Sequence, residues 1–197
     1  MPKKKLKTEC SGMSWGDFLV LVDQLKKMRE YKFLLFVSLG SYCGLRANDI
    51  LRLRWSDIID CSEILIEESK TGKTRRISIN ENLKEIIDLC FRKFNETNKK
   101  GYGPDSIIFH NRSGNILSLQ FINRKLHELF KACNITVQNP SSHTFRKTFA
   151  KKIYEMNKRS EASLIMLSHI FNHSSLTVTR KYIGIIQEQI QDVYLSL

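Results

Sequence analysis

The stretch YKFLLFVSLGSYC, from Tyr31 to Cys43, constrains the fold more than any other part of the chain. As a helix it is apolar nearly all round, and a helix without a polar face has to be enclosed by other elements. Whatever fold the chain adopts is therefore wrapped around this segment. Its longest apolar run, Phe33 to Leu39, is far too short to cross a bilayer, so the enclosure is expected to be protein.

The elements available to enclose it are amphipathic. Ser14 with Asp17 reads as a helix-start signal, and Phe18, Leu19, Val22, Leu25 and Met28 fit one helix face. After Cys43, Gly44 can break the core helix before a short one resumes with Ile50, Leu51 and Leu53 buried. Arg46 stands at that junction, where a side chain can point into a cleft. From Glu63 to Ile79 the periodicity switches to that of strands: EILIEE, a turn at KTGK with Lys70 at its end, then TRRISI.

A helix from about Glu81 to Phe94 follows, with Leu83, Ile86, Ile87 and Phe91 as its apolar set. The composition of NETNKKGYGPDS makes it a loop, and Ile107 to Phe109 reads as a further short strand before the turn NRSG. Four more helices are expected. They run from Ser118 or Leu119 to about Cys133, over HTFRKTFAKKIYEMN with Phe145, Phe149, Ile153 and Tyr154 inward, from Ser160 to Phe171, and from a cap at Ser174 or Ser175 through Tyr182. A short amphipathic helix closes the chain. The predicted fold is mainly α with a small antiparallel β-sheet, an α+β class.

Charge narrows the partner. The 197 residues carry 32 Lys and Arg against 20 Asp and Glu, a net +12 with a pI near 9.6. Such an excess favours a polyanion, because neutralising phosphates releases counterions condensed on nucleic acid. A basic membrane-surface or ribosome-associated protein shares this property. The five cysteines, Cys10, Cys43, Cys61, Cys90 and Cys133, are odd in number and scattered, with no C-x-x-C pair. That usage points to a reducing compartment, with neither a disulfide framework nor a zinc or other metal site. The N-terminal MPKKKLK precedes polar residues in place of an apolar signal core, so a cytoplasmic protein without membrane attachment is expected. Lys3, Lys4 and Lys5 lie in a basic arm that is able to contact phosphates.

Breaking a phosphodiester without metal needs cations on the non-bridging oxygens, a group to take the nucleophile's proton and an acid for the leaving oxygen. His143 and Arg146, spaced i and i+3, share one face at the start of a helix. Arginine suits phosphate because its planar fork binds two oxygens and stays charged. Near the C-terminus, His173 is followed nine residues later by Tyr182. A tyrosine hydroxyl can serve as a covalent nucleophile.

The motifs GLRANDILRLRWSDI, SKTGKTRRISI, HTFRKTFA and NHSSLTVTRKY, in this order and at these separations, resemble the catalytic domain of tyrosine site-specific recombinases, the lambda-type integrase and Xer family. H-x-x-R alone arises by chance in basic proteins; the four motifs in order do not. The resemblance spans roughly Ser14 to the C-terminus. It implies the catalytic-domain fold of that family and an enzyme independent of metal, ATP and other cofactors. Such an enzyme cuts double-stranded DNA through a 3′-phosphotyrosyl link, frees a 5′-hydroxyl and rejoins it to a new partner. It further implies a homo-tetramer on DNA, an accessory DNA-bending protein as a candidate partner, and service to a phage or mobile element.

Carried over by position, Arg46 and Arg146 are the implied clamp on the scissile phosphate. Lys70 is the implied acid for the 5′-oxygen, with Lys73 as the alternative because hairpin turns slip. His143 is implied to accept or relay the tyrosine proton, His173 to hydrogen-bond the phosphate, and Tyr182 to be the nucleophile. Asp49 is implied to buttress the first arginine. Lys73 and Arg75 join Lys3, Lys4 and Lys5 as DNA-binding candidates.

The chain departs from the family pattern in three places. Asn172 stands where many members have glycine. His169, four residues before His173, offers a second register, although the nine-residue spacing to Tyr182 favours His173. Only 45 residues precede Arg46, whereas most members carry a further N-terminal DNA-clamping domain, so that domain is expected to be absent. The expected organisation is a flexible basic arm over residues 1–12, a catalytic domain over 13–183 and a C-terminal helix over 184–197 able to exchange between protomers. The alternatives are a compact DNA invertase, a type IB topoisomerase-like enzyme disfavoured by the short tail after Tyr182, and a non-catalytic DNA-binding relative acting as a regulator.

Overall fold

Among the described residues, seven other named helices and one hairpin surround the apolar segment, itself a helix. The structure is a computed structural model that describes residues 10–67, 72, 74–97, 103–184 and 194–196. The first helix, α1 (Trp15–Lys27), starts where the Ser14 hydroxyl accepts the Asp17 backbone N–H at 3.0 Å and donates to the Asp17 carboxylate at 2.7 Å. Its inner face is Phe18, Leu21, Val22 and Leu25, while Leu19 and Met28 are exposed. The step of about 100° per residue sets Leu21 beside Phe18 and Leu25 and puts Leu19 off the stripe, while Met28 is the C-cap beyond the last turn.

The apolar segment is α2 (Tyr31–Cys43), with every residue from Phe33 to Ser41 buried. Two glycines set its surroundings. At Gly40 a Cβ would come 2.7 Å from the Phe145 Cβ, so a bare backbone lets the helix bearing Phe145 lie directly against α2. Gly44 ends α2 in the left-handed region at φ +61°, a conformation that favours glycine. The chain then re-enters a short helix, α3 (Ala47–Leu51), and a 3₁₀ turn at Trp55–Asp57 that buries Trp55 against Phe91 and Phe94.

The hairpin is as expected in type and pairing. Strands β1 (Glu63–Glu67) and β2 (Thr74–Ser78) are antiparallel, in register from Glu63 opposite Ser78 to Glu67 opposite Thr74. Ile64 and Ile66 are buried beneath it. Arg75, half-buried, pairs with Ile66. Lys70 and Lys73 lie outside the described residues, as do Lys3, Lys4 and Lys5.

Two expectations are corrected here. Helix α4 (Glu81–Thr97) continues past Phe94 into the segment read as loop, and the Asn95 side chain donates back to the Phe91 carbonyl at 3.1 Å. Residues 107–109 form no strand among the described elements; Ile107 makes an isolated bridge with Arg54, and the next residue, His110, one with Ile116. Ile108 and Phe109 are fully buried, so the apolar run reflects burial by core contacts and not a ladder.

The remaining helices are α5 (Leu119–Ala132), α6 (His143–Met156), α7 (Glu161–Phe171) and α8 (Leu176–Ile183). Their starts show why the sequence was readable: the hydroxyls of Ser118, Ser160 and Ser175 each accept an N–H of the first turn. The main core gathers α1, α2, α4, α5 and Phe145 of α6. A smaller cluster, Ala150, Leu167 and Phe171 ringed by Phe149, Ile153, Tyr154, Ile170, Tyr182 and Ile183, holds α6, α7 and α8 together. The expected C-terminal helix lies mostly outside the described residues; Tyr194 and Leu195 are helical and exposed. No described helix is long and apolar enough to cross a membrane.

Candidate functional site

The site is assembled where α2 ends and α6, α7 and α8 meet, around the ring and carbonyl of Phe171. Arg46 caps α3 just beyond the Gly44 stop, and its Nη2 donates to the Phe171 carbonyl at 3.2 Å. Arg146, on the first turn of α6, is 3% exposed; its Nη1 donates to the Gly44 carbonyl and its guanidinium lies 4.1 Å from the centre of the Phe171 ring. One arginine thus leans on the carbonyl of Phe171 and the other on its face. Asp49 is buried in α3, one turn after Arg46.

The loop from α7 to α8 delivers the histidine. Asn172 takes the left-handed conformation at φ 53°, and its N–H donates to the His169 carbonyl while that of His173 donates to the Ser168 carbonyl. This paired closure ends α7 as a glycine commonly would, and asparagine is the side chain that best tolerates the conformation. His169 remains exposed on α7. The His173 ring instead packs edge-on against Tyr182, centres 5.3 Å apart, and against Phe171 at the same 5.3 Å separation. Its Nδ1 is 3.0 Å from the hydroxyl of the fully buried Thr179.

Tyr182 sits on the last turn of α8, its ring edge-on to Phe171 at 5.4 Å. Its hydroxyl oxygen is sealed from solvent and makes no hydrogen bond of regular geometry among the described residues. Burial pushes the phenol up to about 12; Arg146 and Arg46 pull it down, and Cys10 adds to the rise. His143 opens α6, its N–H donating to the Ser141 hydroxyl at 3.2 Å. Although the residue has an exposed side, partial burial and then Arg146, Lys147 and Arg46 hold its imidazole below the usual histidine value.

Of the residues expected from the sequence, Arg46, His143, Arg146, His173 and Tyr182 are thus gathered in one place. Lys70 and Lys73 cannot be situated, being outside the described residues. Three residues at the site were missed. Phe171 is its hub, Thr179 fixes the His173 ring, and Lys147 is 8% exposed with its Nζ 5.1 Å from the centre of the Tyr182 ring. The segment 10–13, which leads in from the expected basic arm, is tied down beside the site. Ser11 N–H donates to the Gln138 carbonyl, Gln138 N–H to the Ser11 hydroxyl, and Met13 N–H to the Thr148 hydroxyl of α6.

No described group of three or more His, Cys, Asp or Glu side chains is placed to hold a metal. A cavity of about 670 Å³ lies elsewhere, lined by Glu30, Lys32, His110, Arg112 and Phe121 among others, and shares no residue with the site. What the site offers is a pair of fixed guanidiniums, two imidazoles and a phenol. Those groups can bind a phosphate and move a proton.

Comparison with known proteins agrees with that chemistry. Residues 17–188 match the model of the phage integrase family. The probable integrase/recombinase YoeC of Bacillus subtilis is 31% identical over 169 residues, covering 86% of this chain and 84% of that protein. Tyrosine recombinase XerH of Campylobacter jejuni is 23% identical over 184 residues, 92% of this chain and 47% of XerH. The crystal structure of XerH site-specific recombinase bound to palindromic difH substrate, in a post-cleavage complex, superposes with a TM-score of 0.71 at 16% identity, covering 96% of this chain and 53% of that one. A lambda integrase dimer bound to a COC′ core site gives 0.62 at 23% identity over 91% of this chain and 49% of that one. These superpositions establish the fold as that of a tyrosine recombinase catalytic domain. The chain spans about half the length of XerH and of the lambda structure, and most of YoeC.

Proposed function

The chain belongs to the phage integrase family, and from that premise we propose that it cuts and rejoins DNA by a covalent phosphotyrosyl mechanism with Tyr182 as nucleophile. DNA recombination by a tyrosine recombinase comes with the family; the roles of single residues are our reading. One observation carries it. Arg46, Arg146, His173 and Tyr182, drawn from four segments spread over the chain, meet at Phe171.

In this reading the guanidiniums of Arg46 and Arg146, each anchored on a backbone carbonyl, hold the two non-bridging oxygens of the scissile phosphate. His173 adds a hydrogen bond through Nε2. The Tyr182 hydroxyl attacks phosphorus, and its proton passes to the His143 imidazole, which its surroundings keep neutral and able to accept it. As the Oη–P bond forms, the P–O5′ bond breaks, and the departing oxygen takes a proton from Lys70, with Lys73 the alternative on the same turn. A 5′-hydroxyl of another strand then attacks the phosphotyrosyl link, and the tyrosine recovers its proton. Asp49 buttresses Arg46. Arg75 and the N-terminal lysines Lys3, Lys4 and Lys5 add phosphate contacts.

Exchanging both strands of two duplexes takes four cleavages, and each protomer supplies one tyrosine at this site. A homo-tetramer on DNA is therefore the working assembly we propose, with a DNA-bending protein as a candidate accessory.

The test is covalent trapping. Nicked duplexes drawn from the flank of the chain's own gene are incubated with protein and denatured. A protein–DNA band is expected with wild type and none with Tyr182→Phe, whose DNA affinity stays within a few-fold. Arg146→Ala should slow capture by about 100-fold or more, the scale of losing one oxyanion donor. Specific binding without any band would turn the reading towards a regulator.

A further inference from the structure

Lys147 is a buried cation with no place in the mechanism just described. A lysine so enclosed needs its charge compensated, since burying an ammonium is costly. Here the residue is 8% exposed and its ammonium lies over the Tyr182 ring, 5.1 Å from the centre. Phe171 and His173 also pack against that ring, steeply inclined to it with centres 5.4 and 5.3 Å away. Lys147 also acts by charge on His143, four residues before it on α6. It thus faces both the proposed nucleophile and its proposed proton acceptor.

Building on the reading of Tyr182 as nucleophile, we infer that Lys147 is a positioning residue for strand cleavage, its ammonium seating the tyrosine ring and favouring the build-up of negative charge on it. The physics is the attraction of a cation to the electron-rich face of an aromatic ring. That attraction grows as the hydroxyl gives up its proton and the ring takes on phenolate character. It relaxes again once the oxygen is tied to phosphorus. The ammonium itself neither gains nor loses a proton.

A second consequence concerns His143. The charged groups acting on it are Arg146 and Lys147 of its own helix and Arg46 from the α2–α3 junction; those acting on Tyr182 are Arg146, Arg46 and Cys10. All three that act on His143 are cations, so removing one makes protonation of the imidazole easier. The proton acceptor would then be lost at a higher pH.

The experiment compares wild type, Lys147→Met and Lys147→Arg on the nicked duplex, with Tyr182→Phe as the blank, measuring the single-turnover rate of covalent capture across pH. Lys147→Met keeps the stem and loses the charge. It should capture roughly 10- to 100-fold more slowly, the scale of a misplaced reacting group, with DNA affinity within about 3-fold. The acidic limb of its pH profile should move to higher pH, and NMR of the folded variant should show the His143 imidazole titrating at higher pH than in wild type. Lys147→Arg should recover most of the rate and return the limb.

Capture by Lys147→Met at the wild-type rate, or a loss uniform in pH that arginine does not restore, overturns this inference alone. Absence of any wild-type band overturns the assignment of Tyr182 and this inference with it. The NMR titration stands apart from DNA altogether: an unmoved His143 in folded Lys147→Met removes the electrostatic half of the case.

Discussion

The guanidinium of Arg146 lies 4.1 Å from the centre of the Phe171 ring, while the carbonyl of the same phenylalanine accepts a hydrogen bond from Arg46. One apolar residue therefore aligns both cations. The ring covers one face of the Arg146 guanidinium, whose Nη1 is held by the Gly44 carbonyl. Phe171→Leu keeps an apolar side chain and loses the flat surface. It should cost about 1–2 kcal/mol of folding stability, measured by urea denaturation. Covalent capture by the still-folded variant should fall about 10-fold or more, because the arginine loses its fixed pose. Full-rate capture would reduce Phe171 to packing.

Gly44 sets the other end of Arg146. It holds φ +61°, a Cβ there would lie 2.6 Å from the Phe149 ring, and its carbonyl accepts from the Arg146 guanidinium. Gly44→Ala should destabilise by roughly 1–3 kcal/mol, the cost of a non-glycine residue forced into that region. Its effect on capture should exceed its effect on DNA binding. A variant as stable as wild type in a denaturation series would show that α2 can end without the left-handed turn.

The Thr179 hydroxyl, 3.0 Å from His173 Nδ1, orients the imidazole. Thr179→Val preserves the shape and removes the partner. Its stability should change by no more than about 1.5 kcal/mol, the usual net worth of one hydrogen bond. Capture should drop several-fold, and Thr179→Ser should restore it. Equal rates in all three proteins would disconnect the ring's orientation from the reaction.

Two groups make the chemistry respond to pH in opposite senses. His143 is held below its ordinary 6.5, so the neutral form persists into mildly acidic solution, and capture should decline only below that ordinary value. In linkage terms the contribution of His143 to stability is complete above 6.5 and lost as pH falls through its lower folded value. Tyr182 is raised from 10.0 to about 12, so its contribution is complete below the unfolded value and lost as pH rises through the folded one. An ultraviolet difference titration, wild type minus Tyr182→Phe, should show that phenolate only towards pH about 12. Ionisation near pH 10 would mean that water already reaches the hydroxyl.

Much of this arrangement was legible because local rules govern it. An apolar stretch without a polar face had to become the central helix, serines before Phe121, Ser163 and Val178 had to cap helices, and the spacing of His173 to Tyr182 was already a pair in sequence. What escaped depends on contacts between distant residues. Phe171 looks like the last apolar position of a short helix; its meaning comes from Arg46, 125 residues away. Lys147 looks like one more basic residue in HTFRKTFAKK, and only the packing of α8 on α6 turns it towards a ring. The run Ile107–Phe109 misled for the converse reason, since full burial gives a strand-like composition without a strand.

The division of the interior into a large core and a small one has a consequence for how the protein can work. Tyr182 belongs to the lesser cluster, built on Ala150, Leu167 and Phe171, whereas α1, α2, α4 and α5 close around the greater one. Regions with few buried apolar contacts open at a lower free energy than the whole molecule. Opening around the helix that carries the phenol is therefore expected to cost less than opening the greater core. With Tyr182 as the proposed nucleophile, exposing a hydroxyl now sealed from water would take a local excursion and not the unfolding of the scaffold.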